Sequence, residues 1–178
     1  MIKSNNILYS KGKNDEFYTP LYAVKPIVDY ILKLKGTQLT VWCPFDKDDS
    51  NFVKYLKEKG FNVLNSHIDN GQDFYSYEPE KYDIILSNPP FTGKRKIFER
   101  AISLNKPFGL LMSNTWLNDS APKQLFKDID LQLFMFEKRI HFIQPNGEIN
   151  KKTTFSSSYY CYNLLDKQIV MSDFKYEK

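Results

Sequence analysis

The sequence predicts an α/β protein: a mostly parallel sheet with helices on both faces and an antiparallel hairpin towards the C-terminal end. Three features predict it. Leu39 to Cys43 (LTVWC) reads as a short strand, followed by a polar turn, a helical face of Phe52, Val53 and Leu56, a closing Gly60 and a second strand from Phe61 to Ser66. That succession is a βαβ unit. It recurs in Tyr82 to Ser87, the helical face within Ile97 to Leu104, and the apolar run Pro107 to Met112. The alternation then breaks at FSSSYYCYNLL (Phe155 to Leu165), an aromatic β-prone run that fits an antiparallel pair.

Each element has its own local signal. Residues 1–14 are polar and unpatterned and read as an arm ahead of a single domain over 15–178. Thr19-Pro20 reads as a helix cap followed by proline at the first helical position. Val24, Ile27, Val28, Ile31 and Leu32 then recur at helical spacing, and Gly36 stops the helix. Ser50 is the expected cap of the next helix. Ser120 to Lys127 reads as a short helix and Leu131 to Phe136 as a strand.

A chain of 178 residues with 42% hydrophobic and 16% aromatic content can bury one sizeable core, which sets aside a disordered chain. Its net charge of +4 permits a nucleic-acid partner without requiring one. There is no apolar run of membrane-spanning length and no leader-like opening, so a cytoplasmic location and no membrane partner are expected. Cys43 and Cys161 have no metal-type spacing, and no metal is expected.

In sheets of this kind ligands bind beyond the carboxyl ends of the strands, where strand order reverses. The expected loops there are CPFDKDDS (Cys43 to Ser50), SHIDNGQDF (Ser66 to Phe74), SNPPF (Ser87 to Phe91) and SNTWLNDS (Ser113 to Ser120). The first loop lacks glycine and carries three acids, which excludes a dinucleotide held by its pyrophosphate. A cationic or zwitterionic adenosine compound such as S-adenosylmethionine suits it better. Asp48 and Asp49 serve equally well as helix-capping acids. Pro89 and Pro90 fix φ and have no backbone donor, making a stiff elbow that sets Asn88 and Phe91 on opposite sides. An Asn oxygen and a neighbouring carbonyl can accept both hydrogens of an adenine amino group and aim its nitrogen at an activated methyl without a strong base. Phe91 is placed to stack on a base flipped out of a duplex.

SNPPF after an apolar strand resembles the catalytic Asp/Asn/Ser-Pro-Pro-Tyr/Phe motif of S-adenosylmethionine-dependent amino-methyltransferases. Asp15-Glu16-Phe17-Tyr18-Thr19-Pro20 looks like their N-terminal cofactor motif. CPFDKDDSNFVKYL, SNPPF and FSSSYYCYN together are similar to adenine-specific DNA methyltransferases of the EcoRI modification type and their phage-borne relatives. The resemblance covers about residues 15–165. It implies a Rossmann-like methyltransferase fold and methyl transfer to the adenine amino group in DNA, in a restriction-modification or phage setting. Asn88 and Pro89 are then the acceptors, with Pro90 completing the elbow and Phe91 stacking on the base. Thr19 and Pro20 line the methionine end of the cofactor and Tyr18 is a further cofactor contact, Cys43, Pro44, Phe45 and Asp46 form its loop, and His67, Asp69, Asp73 and Phe74 border its adenosine. Cys43 and Asp46 to Asp49 depart from the usual D-P-F-x-G-x-G loop.

No separate target-recognition domain is expected, so selectivity is expected to come from loops, a homodimer or a partner subunit. Lys94-Arg95-Lys96, Lys138-Arg139 and Lys151-Lys152 are candidate phosphate contacts and equally ordinary surface lysines. His67 reads as a structural or cofactor-lining histidine. Trp116, Phe155, Tyr159 and Tyr160 serve either a base pocket or the core. Two rival functions share these residues: methylation of adenine in RNA or of a protein glutamine amide, and a non-catalytic nucleic-acid or partner-binding module.

Overall fold

A computed structural model describes residues 17–176. The arm expected over 1–14, and Asp15 and Glu16, lie outside the described residues. The helices are α1 (Leu21–Lys35), α2 (Asn51–Glu58), α3 (Lys94–Ser103) and α4 (Ser120–Leu125), with single 3-10 turns at Ile68–Asn70 and Asn114–Asn118. The strands are β1 (Thr40–Cys43), β2 (Asn62–Asn65), β3 (Ile84–Ser87), β4 (Phe108–Ser113), β5 (Gln132–Phe136), β6 (Ser157–Tyr162) and β7 (Ile169–Ser172).

They form one sheet in the order β2-β1-β3-β4-β6-β5-β7. The β2-β1, β1-β3 and β3-β4 pairs are parallel, as the two βαβ units predict. The expected antiparallel element is β6, which inserts between β4 and β5 and runs against both. β7 has no counterpart in the sequence reading. It pairs parallel with the edge of β5, and its Ile169 and Met171 remain exposed. Its alternation of half-buried and exposed residues is too short to stand out as a strand before the partner is known.

Helices cover both faces. Val24, Ile27, Val28 and Ile31 of α1 pack with Phe52, Val53 and Leu56 of α2 on one side, against Val41, Leu86, Leu111 and Tyr159. Ile97, Phe98 and Ala101 of α3 cover the other, against Trp42, Ile85, Leu110 and Tyr160. Adjacent residues of each central strand thus belong to opposite cores, as a sheet buried on both faces requires. Cys43 and Cys161 are buried and reduced. Tyr159 and Tyr160 are core residues whose hydroxyls donate to the carbonyls of Ala23 and Ser113 at 3.0 and 2.9 Å.

The caps differ in one place. Ser50 Oγ accepts from Val53 N at 3.2 Å, as expected. At α1, however, Pro20 is itself the cap, extended at φ −66° and ψ 150°, and the helix starts one residue later than predicted. Tyr18 exchanges two backbone hydrogen bonds with Ile143, at 2.8 and 2.9 Å, and the extended backbone held there continues through Pro20. Residues 137–156 connect β5 to β6, and within them Phe142 and Phe155 meet Phe91, just beyond the end of β3. Among the described residues no helix is long and apolar enough to cross a membrane.

Candidate active site

The chain runs from β1 outward to β2 and then returns to the other side of β1 as β3, so strand order reverses between β1 and β3. A cavity of about 370 Å³ lies beyond these strand ends, within the size range of small-molecule sites. It brings together four stretches far apart in the chain: Phe17 to Thr19, Pro44 to Phe52, His67 to Tyr75 and Asn88 to Gly93.

All four elbow residues, Asn88, Pro89, Pro90 and Phe91, border it. The Asn88 amide nitrogen donates to the Phe17 carbonyl at 3.2 Å. A carbonyl only accepts, so this contact fixes which end of the amide is nitrogen. The other end, Oδ1, is buried without a hydrogen-bond partner. Such an acceptor costs about 1–3 kcal/mol until something donates to it. Phe91 meets Phe142 and Phe155 edge-on, each with ring centroids 5.7 Å away. Asn88 and Phe91, expected on opposite sides of the elbow, thus face one cavity, and Phe91 also borders a second.

Of the residues assigned to the cofactor, Tyr18, Thr19, Pro44, Phe45, Asp46, His67, Asp69 and Phe74 line the cavity. The Thr19 hydroxyl is another buried group without a partner. Phe45 packs on Phe74 at 4.8 Å. Asp69 forms an ion pair of 2.6 Å with Lys47, joining the loops after β1 and β2, and its backbone N–H donates to His67 Nδ1 at 3.1 Å. Asp46 is 8% exposed, and its carboxylate accepts from the Ser87 hydroxyl. Burial pushes the Asp46 carboxyl up to about 6, although hydrogen bonds with Ser87 and Ser50 act in the opposite direction.

Pro20, Cys43 and Asp73 are not part of the lining. Pro20 caps α1, Cys43 is fully buried in the α1/α2 core, and the Asp73 carboxylate accepts from Tyr75 N at 3.0 Å. Phe17, Asn51, Gln72 and Tyr75 also line the cavity, although sequence reasoning assigns none of them a role of its own: Phe17, Asn51 and Gln72 lie inside motifs it singles out, and Tyr75 directly follows one.

A second, open cavity of about 390 Å³ adjoins Phe91 and is bordered by Lys94, Arg95, Lys96, Trp116 and Asp119. Arg95 is paired with Glu99 at 2.9 Å. Lys138 is held by Asp173 at 2.9 Å and by the Phe174 carbonyl, and the Arg139 carbonyl accepts from Tyr176. Lys151 and Lys152 are exposed on a turn. Trp116 is a core residue stacked on Tyr160 at 5.7 Å, whereas Phe155 is half-buried against Phe91. Among the described residues, no group of three or more His, Cys, Asp or Glu is arranged to hold a metal ion.

No family model matches the chain, and no curated protein matches it. Solved structures do. A candidate RNA methyltransferase, PH1948 of Pyrococcus horikoshii, is 11% identical over 94% of this chain and 99% of its own, with a TM-score of 0.48. A predicted O-methyltransferase, Atu636 of Agrobacterium tumefaciens, is 8% identical over 83% and 71%, with a TM-score of 0.38. TrmN of Thermus thermophilus is 13% identical over 76% of this chain and 47% of its own, with a TM-score of 0.36.

Proposed function

We propose that this chain is an S-adenosylmethionine-dependent methyltransferase acting on the exocyclic amino group of adenine in DNA. The observation that carries the reading is Asn88, which borders the switch-point cavity: its amide is oriented by the Phe17 carbonyl, and its oxygen is buried without a donor. An amino group is a donor that matches it. The Pro89 carbonyl accepts a hydrogen bond from the second N–H of that group, which leaves the nitrogen lone pair free for the methyl; the N–H proton that the methylated nitrogen sheds passes to solvent.

The lining suits the cofactor. The unpartnered Thr19 hydroxyl stands at the methionine end, Phe45 and Phe74 flank the adenine, and Asp69 and His67 serve the ribose. When bound, S-adenosylmethionine supplies an electrophilic methyl group on a sulfonium. The protein's own contribution is position: the two prolines hold the acceptors still, and the aromatic group of Phe91, Phe142 and Phe155 gives the base a face to stack on. Lys94 and Lys96, beside Phe91, are placed for phosphates of the same strand.

The test is nucleoside mass spectrometry after incubating the protein with unmethylated genomic DNA and S-adenosylmethionine, with Asn88→Ala alongside. The wild type should yield methylated adenine, and the variant should lose at least about a hundredfold in rate, the scale for removing a group that stabilises a transition state. Product only with RNA, or methylated glutamine in protein hydrolysates, moves the same chemistry to another substrate. No product together with no calorimetric binding of S-adenosylmethionine overturns the enzyme reading in favour of a binding module.

A further inference from the structure

We infer that Asp46 is a positioning residue for the proposed transfer: acting through Ser87, its carboxylate holds the Asn88 elbow in register with the loop after β1. This rests on the reading above and adds to it, since the sequence gives Asp46 only the role of a cofactor ligand.

The elbow needs such a tie. Pro89 and Pro90 have no N–H, so no ladder hydrogen bond from their own amides can hold the segment to its neighbours. The side chains just before them do so. Asn88 is tied to the Phe17 carbonyl on one side, and the fully buried Ser87 donates to Asp46 on the other. Asp46 is itself fixed from further directions. Its backbone carbonyl accepts from the Asn65 side chain at 3.3 Å, and Ser50, the cap of α2, acts with Ser87 to favour its charged form. One residue therefore links the ends of β1, β2 and β3 to the start of α2. A carboxylate committed to Ser87 and nearly closed to solvent is poorly disposed to serve as a direct ligand for a sulfonium or ammonium group.

The charged and titratable groups around it are specific. Cys43 of β1 and Tyr159 of β6 both feel the Asp46 charge and are kept neutral by burial first and that charge second. Lys47, His67, Asp69 and Tyr75 line the same cavity.

The experiment compares wild type, Asp46→Asn, Ser87→Ala, the double variant and His67→Gln. It measures kcat and KM on adenine-containing DNA across acidic to neutral pH, and S-adenosylmethionine affinity by calorimetry. Expected are kcat losses of about tenfold or more in each Asp46 and Ser87 single variant, with no further loss in the double, because the two act as one unit. Cofactor affinity should stay within about threefold. The acidic limb should vanish in Asp46→Asn and persist in His67→Gln. Cofactor affinity lost at least about tenfold in Asp46→Asn with kcat preserved, or independent additive losses, overturns the inference. If the wild type methylates nothing, the functional reading fails separately. Amide hydrogen exchange at Asn88 and at residues 91–93 then decides the coupling. Faster exchange in both single variants, and no faster in the double, supports it; unchanged exchange overturns it.

Discussion

Replacing Asp46 by Asn removes a buried charge while keeping the side-chain shape. Holding the carboxyl at about 6, against an ordinary 3.8, costs the ionised fold on the order of 3 kcal/mol. The sign follows from which state binds the proton more tightly. The folded state does, so below 3.8 both states are protonated and the charge costs nothing. Stability is lost as pH rises through the window from 3.8 to about 6, and the loss is complete above it. Asp46→Asn has no such window. Whatever offset the amide introduces through its own contacts with Ser87 and Ser50, the stability of the variant relative to wild type should rise by about 3 kcal/mol between about pH 3.5 and about pH 7.5. Urea unfolding of both proteins at the two pH values, extrapolated to water, measures this directly. An unchanged difference, or a wild type that gains on the variant as pH rises, refutes the reasoning, because either means that the folded carboxylate is not the costly species. With the kinetic expectation above, Asp46 becomes a residue whose neutral replacement stabilises the fold and slows the reaction.

Other substitutions test separate parts of the structure. Gly36 ends α1 at φ 73° and ψ −169°, and a methyl group there would meet nothing within 4 Å. Gly36→Ala should therefore cost about 1–3 kcal/mol from backbone strain alone, read as a lower thermal midpoint. Tyr159→Phe leaves the packing of β6 on α1 and removes the hydroxyl bond to the Ala23 carbonyl, with an expected loss of about 1 kcal/mol in urea unfolding. Phe91→Leu keeps an apolar side chain against Phe142 and Phe155 but removes the flat face. DNA binding measured by fluorescence anisotropy should weaken by about 1–3 kcal/mol, with cofactor affinity unchanged.

Much of the architecture was legible locally. Helical spacing in α1 and α2, the apolar strands of the two βαβ units, the Ser50 cap and the glycine stops are all encoded within a few residues of where they act. So were three of the four loops expected at the switch point, those after β1, β2 and β3, while the loop after β4 borders the second cavity instead. The stiffness of Asn88-Pro89-Pro90 was legible too, since proline restricts the backbone whatever surrounds it. Other features were set by distance. That Asn88 presents an oxygen without a donor depends on a carbonyl 71 positions earlier, and the commitment of Asp46 to Ser87 spans 41 positions. β7 exists as a strand because β5 offers it an edge, and α1 starts late because Tyr18 is paired with Ile143. The sequence by itself determined which segments alternate and which polar residues cap the strand ends, because those are local choices of backbone and burial. Only the tertiary structure decided which of those polar atoms are spent on one another and which are left for a ligand, because a hydrogen bond belongs to two groups and the chain order names only one at a time.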